Sequence, residues 1–224
     1  MIVVLTCARD LSYRDATLRQ IEACVRGRKT LLVDGCDLSP PPGWETVYHP
    51  RPVVPPQNKW TAWEAFKIAD RANEDLCFFE DDLEFSKNAP SFIEDFAVPD
   101  DLAFVTFFSP WIDPTWPIGL WRHHAHSYTM AQALKFSRRT VRALATCKEE
   151  AMMNTSGGFD EALHYIAIER RWRYGIVNPG IVQHIGAVSV VGNGPLVGMR
   201  STRNFVGREF DANGLRLYPS EFFA

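Results

Sequence analysis

The sequence predicts an α/β fold, a twisted and mostly parallel sheet flanked by helices, and three observations carry that expectation. Short apolar, β-rich runs alternate with stretches of helical spacing from the N-terminus onward. The runs "IVVLT", "LLV" and "LCFF" are nearly continuous rather than alternating, as in strands buried on both faces. Three consecutive carboxylates, Glu80, Asp81 and Asp82, stand directly behind one of these runs, at the strand end where open parallel sheets bind their ligands.

The elements follow in order. "IVVLTCA" is a first strand, and "RDATLRQIEACVRG" is a helix with Leu18, Ile21, Ala23 and Val25 near helical spacing, closed by Gly27. "KTLLVDG" is a second buried strand ending in an Asp-Gly turn, and "ETVYH" a short third. The stretch "NKWTAWEAFKIADRA" is helical, with Trp60, Trp63, Ala65 or Phe66, and Ile68 on its apolar side. The strand "DLCFF" leads to the acids. Beyond them come a helix near "APSFIEDF", a strand "LAFVTFF", an aromatic and Pro-rich loop from Ser109 to Trp121, a strand around "SYTMAQALKF" and a helix "SRRTVRALATC". A further helix follows Gly157 and Gly158, carries Asp160 and Glu169 and ends near Gly175, giving way to a short strand "GIVQHIG". No internal repeat interrupts this order.

Composition bounds the function. With 224 residues, 46% hydrophobic and 23% charged, the chain suits one globular domain able to bury roughly 70% of its unfolded surface. No apolar stretch reaches the roughly 18 residues that span a bilayer, and "MIVVLTCARD" lacks a basic leader, so the expected location is the cytoplasm, without a membrane partner. Five cysteines without paired metal spacing suit reduced thiols. The net charge of −3 offers no global attraction to nucleic acid. Its distribution is uneven: residues 1–130 carry 12 basic and 19 acidic side chains, residues 131–224 carry 12 and 8. Either the two halves face one another across a ligand holding both a metal and phosphates, or the asymmetry is unrelated surface charge.

Like charges as close as Glu80, Asp81 and Asp82 repel one another, and persist in open water or around a cation. On an extended segment Glu80 and Asp82 project to one side and Asp81 to the other, so two acids can converge on Mg²⁺ or Mn²⁺. His184, where the late strand emerges, is an acceptable ligand beside them. The tryptophans 111, 116 and 121 offer flat faces for sugar rings or bases, or belong to the core. His123, His124 and His126 superficially resemble a metal cluster, but neighbours on a strand face opposite ways, and loop or surface histidines are expected. Gly192, Gly194 and Gly198 permit either a mobile flap or a surface hairpin; in a closing flap Ser201 and Arg203, and with them Arg200, would reach diphosphate oxygens.

The succession "VVLTCARD", "FFEDDLEF", "GGFDE", a charged helix and "PGIVQHIG" resembles nucleotide-sugar-dependent glycosyltransferases of the A fold, Rossmann-like in their nucleotide-binding part. The likeness is in motif order and covers roughly residues 1 to 190. "GGFDE" is similar to the inverting transferases that include cellulose synthases, "VQHIG" to branching N-acetylglucosaminyltransferases, and small phage-encoded glycosyltransferases acting on DNA bases or virion proteins share the pattern. The resemblance implies one domain over 1–224, with a nucleotide-binding half over 1–110 and an acceptor-side half over 111–224 ending in the flap. It implies Asp82 and His184 as metal ligands, with Glu80 and Asp81 beside the nucleotide and the ion. Thr6 and Arg9 stand where such enzymes hold base and ribose, and Lys59 and Trp60 open a helix bordering the nucleotide. The implied cofactors are Mn²⁺ or Mg²⁺ and a nucleotide-sugar donor, a UDP-sugar first. "EDD" departs from the more frequent Asp-any-Asp, which leaves open which acids touch metal.

The implied reaction is transfer of the sugar to a hydroxyl of a DNA base, a protein or a glycan, with inversion. It needs a carboxylate to take the acceptor's proton. Asp160 and Glu169 are the candidates, and nine residues of helix, about two and a half turns, cannot aim both at one atom. Family spacing favours Glu169, branching-type relatives an acid nearer Asp160, and Asp160 is also a plain helix-start residue. Two rivals share this layout: a nucleotidyltransferase, for which "TCARDLSYRD" lacks a Gly-rich phosphate loop, and a non-catalytic sugar- or nucleic-acid-binding module. The runs "KFSRR" and "RRWR" are either basic contacts for DNA or solvated helix faces.

Overall fold

The computed structural model describes residues 1–7, 11–35, 38–49, 58–124, 131–147, 158–186, 201–217 and 219–220. Its centre is the first strand, β1 (Ile2–Cys7), whose apolar run is buried from end to end. β1 lies between β2 (Lys29–Asp34) and β4 (Leu76–Glu80), parallel to both, and β2 carries β3 (Glu45–His49) on its outer side, also parallel. Helix α1 (Leu11–Cys24) connects β1 to β2, and α2 (Asn58–Ala72) connects β3 to β4. Both are crossovers between parallel strands, α1 between neighbours and α2 from the sheet's margin back to β4 beyond β1.

The second half makes the sheet mixed. Next to β4 runs β8 (Ala133–Phe136), antiparallel, then β6 (Phe104–Thr106), β9 (Arg173–Asn178) and β7 (Gly119–His124), with the two-residue β11 (Pro219–Ser220) at the margin. The order across nine strands is β11-β7-β9-β6-β8-β4-β1-β2-β3. A separate two-stranded antiparallel sheet pairs β5 (Leu83–Phe85) with β10 (Val182–His184). The α/β class holds, and in the nine-stranded sheet the strands that run against β1 are β7, β8 and β11, all from the second half.

Each face of the sheet has its own core. On one face α1 and α3 (Ala89–Asp95) cover Ile2, Val4, Leu31, Val33, Cys77 and Phe79, with Leu18, Ile21 and Val25 as the apolar stripe. On the other, α2, α4 (Arg138–Ala145) and α5 (Phe159–Glu169) cover Val3, Leu5, Leu32 and Phe78. Phe66 meets Phe136 edge-on at 5.0 Å, and Phe159 lies 4.9 Å from Phe78, so the start of α5 is clamped onto β4. Ser137 caps α4, accepting from the Thr140 amide.

Two sequence expectations are corrected. The helix after Gly158 ends at Glu169, and Gly175 is a strand residue of β9 rather than a helix terminus. A Cβ at Gly175 would fall 2.8 Å from Leu120 and 2.9 Å from Leu102, so the glycine serves close packing between strands. The segment after the aromatic loop is strand β7, which contains Trp121, His123 and His124; the aromatic and proline content of its approach hid it.

His123 on β7 stacks on Tyr174 at 5.6 Å and lies 6.0 Å from Trp116. Burial pushes its imidazole below the ordinary value, and His124 adds to this. With the folded value depressed, both states are neutral above about pH 6.5, and below it the unfolded chain takes up the proton first. Stability therefore falls as pH drops through that range. Thermal melts from pH 7.5 to 5.5 are expected to show a smaller decline in His123→Phe than in the parent chain.

Candidate metal centre at the carboxyl edge of the sheet

β4 delivers Glu80 at its last position, and the chain then bends through Asp81 and Asp82 into β5. Helix α1 holds that bend. The Thr17 hydroxyl, fully buried, accepts the Leu83 amide at 3.0 Å and donates its one proton to the carbonyl of Leu83 (2.8 Å) or Asp81 (3.0 Å). Gln20 accepts the Phe85 amide at 2.7 Å. These bonds fix the backbone between the acids before any side chain is considered.

The small sheet brings in the histidine. β10 pairs with β5 in a register that sets His184 opposite Leu83, and the Ile185 amide donates to the Asp82 carbonyl at 2.9 Å. His184 Nε2 lies 3.0 Å from Asp82 Oδ2, both side chains being almost wholly buried. Ligand atoms of Glu80, Asp82 and His184 all lie within 4.8 Å of one another, the one such cluster among the described residues. Phe108, at the start of the aromatic loop, closes one side with its ring 6.4 Å from His184.

Two carboxylates and an imidazole form a donor set that suits Mn²⁺ or Mg²⁺. Gly186 gives this fit a structural basis, because a Cβ there would fall 2.2 Å from Asp82 Oδ2 and 3.2 Å from the His184 ring. The absence of a side chain is what lets the Asp82 carboxylate lie against the end of β10. Gly186→Ala is expected to push that carboxylate aside and weaken Mn²⁺ binding about 10- to 100-fold, as loss of outer support does at metal sites. Calorimetric titration with MnCl₂ checks this, with circular dichroism unchanged.

Asp81 points the other way, as alternation requires. It is fully buried and accepts from the Thr6 hydroxyl at 2.5 Å. Thr6 and Asp81, expected beside the nucleotide, bond to each other and tie the end of β1 to the acidic bend. Lys59 is buried at the start of α2. Arg9, the side chain of Trp60, His126 and the glycines 192, 194 and 198 with Arg200 lie outside the described residues.

Ser201 and Arg203 flank Thr202, whose amide donates to Gln183 Oε1 at 2.8 Å and whose hydroxyl donates to the Val182 carbonyl at 3.1 Å. The segment is thus stitched alongside β10, next to His184. Arg203 is exposed and lies near Asp113 of the aromatic loop, whose carboxyl is held below its ordinary value by the Thr115 amide and hydroxyl, with the Arg203 charge adding to it. In that loop Trp111 is half exposed, whereas Trp116 and Trp121 stack at 5.0 Å against the core.

The two candidate bases part company. Leu76, Phe136, Phe104 and Tyr174 form one row across the sheet at the amino end of β4, by their register. Glu169 ends α5 four residues before Arg173, where β9 enters that row, and its carboxylate accepts from the Tyr165 hydroxyl at 2.8 Å. Four strand residues separate this row from Glu80, about 13 Å. Glu169 is therefore at the wrong end of the sheet, and the preference for it is corrected. Asp160, in the first turn of α5, is at the end that faces the acids.

Asp34 was overlooked because "VDG" reads as a turn. It ends β2 in register with Cys7 and His49, its Oδ1 3.6 Å from His49 Nδ1. Burial pushes its carboxyl up, opposed by the nearby Thr61 hydroxyl of α2 and by His49. Its position at the end of a buried parallel strand, as for Glu80, was the available signal.

The sequence matches no protein-family model and no curated protein.

Proposed function

We propose that this protein is a divalent-metal-dependent glycosyltransferase that moves a sugar, with inversion, from a nucleotide-sugar donor to a hydroxyl acceptor. The observation that carries this reading is the convergence of Glu80, Asp82 and His184 at the carboxyl ends of parallel strands, where open α/β sheets bind nucleotides. Asp82 and His184 would hold the ion, with Glu80 as the third candidate ligand of the cluster. Mn²⁺ or Mg²⁺, when bound there, supplies Lewis-acid neutralisation of the charge left on a departing nucleoside diphosphate.

The chain's own residues do the rest. Asp34 and Lys59, at the ends of β2 and the start of α2, border the same edge and orient the nucleotide. Asp160 takes the proton of the acceptor hydroxyl as that oxygen attacks the anomeric carbon, one displacement that inverts it. Ser201 and Arg203 lie beside β10 where the diphosphate would emerge, and Trp111 offers an exposed ring on the acceptor side. The acceptor is a hydroxyl of DNA, protein or glycan.

The test is a screen of nucleotide sugars, UDP-sugars first, with and without MnCl₂, reading thermal stabilisation and release of nucleoside diphosphate. A metal-dependent rise in melting temperature with slow donor hydrolysis is expected. No stabilisation and no hydrolysis by any donor overturns the reading.

A further inference from the structure

At the opposite end of the sheet, the two basic runs of the sequence come together. A cavity of about 420 Å³ is lined by Arg139 of α4, by Arg170, Arg171, Trp172 and Arg173 between α5 and β9, and by Asp101. That volume falls in the range of small-ligand pockets. Four guanidinium groups face one carboxylate, the mirror image of the crowded acids at the other edge. Crowded cations repel one another likewise; solvent eases this at the exposed Arg139, Arg170 and Arg171, and an anion among them would ease it further.

The lone carboxylate is oversubscribed. Asp101 Oδ2 is 3.0 Å from Arg122 Nε and 3.5 Å from Arg173 Nη1. The Nε of Arg173 is buried without an acceptor, a donor left for something else to satisfy. Arg139 donates to the Asp100 carbonyl at 2.6 Å, and Arg170 lies over the Trp172 ring at 5.3 Å while donating to Cys147 Sγ. These contacts orient both groups and neutralise neither. Glu169, a further acid near Arg170, is engaged with Tyr165. The side chain of Arg171 makes no hydrogen bond or ion pair among the described residues, and its backbone sits at φ 52°, a conformation costly for so bulky a residue. Glycine or asparagine would make this turn more cheaply, which points to the guanidinium itself as the reason for an arginine.

We propose that this cavity is a second anion site that binds a phosphate-bearing small ligand, separate from the metal centre. Guanidinium forks match phosphoryl oxygens in pairs and keep their charge at every accessible pH. The separation of about 13 Å along β4 puts it beyond the diphosphate of a donor held at the acidic edge.

The probe is inorganic pyrophosphate, titrated calorimetrically into the full chain at physiological salt without divalent metal. Saturable binding is expected, weakened about tenfold or more in Arg139→Gln and in Arg171→Gly, and unchanged in Asp82→Asn. Arg171→Gly also relieves the positive φ, so its melting temperature should hold or rise while affinity falls; a merely structural arginine would give the reverse. Absence of binding, or equal affinity in the arginine variants, overturns the proposal. So does binding of a single-stranded DNA 20-mer with steep salt dependence that pyrophosphate does not compete, since the basic cluster would then be a nucleic-acid contact surface.

Discussion

Asp82→Asn is expected to abolish metal-dependent donor turnover, a loss of about 10²-fold or more, while leaving the fold in place. The substitution keeps the shape of the side chain and its reach to His184 Nε2 at 3.0 Å. It removes the charge that the proposed ion would require. Because an imidazole is stable when neutral, no stranded charge remains in the nearly buried pair, and the melting temperature should move little. Asp82→Ala would mix a cavity and a lost hydrogen bond into the result. Steady-state release of nucleoside diphosphate, with calorimetric titration of MnCl₂, reads both losses. If Asp82→Asn turned over donor at the parent rate, the acidic bend would have only a structural part.

Asp160→Asn and Glu169→Gln form the second contrast. The first is expected to lower kcat about 10²- to 10⁴-fold, the usual yield of a positioned general base, with KM for the donor little changed. The second should leave both constants alone, since the Glu169 carboxylate engages the Tyr165 hydroxyl at the far end of α5. Equal and large losses in both variants would mean that α5 acts through its packing on Phe78 and Phe66 rather than through one carboxylate.

The first half of the fold was legible because local and global preferences agree there. The helix over Asn58–Ala72 and the strand over Glu45–His49 coincide with the sequence reading, as continuous apolar runs and clean helical spacing leave little alternative. In the second half neighbours in space are distant in sequence. β10 finds β5 across about a hundred residues, and three-residue strands carry almost no periodic signal, so the small sheet that joins His184 to Asp82 could not be read from either segment. The site fared similarly. Alternation sorted Glu80 and Asp82 from Asp81, whereas the bond that turns Thr6 inward depends on the height of β1 against β4, a tertiary quantity. Glu169 was misjudged because helix spacing says that two acids diverge without saying which end of the helix meets the sheet's carboxyl edge. That follows from strand order alone.

The most direct measurement is an anomalous difference map, at the manganese edge, from crystals of this protein grown with MnCl₂. The predicted result is a peak within bonding distance of both the Asp82 carboxylate and His184 Nε2, with Glu80 as the third candidate ligand. Full manganese occupancy elsewhere and none between these side chains would contradict a shared ion at the carboxyl edge.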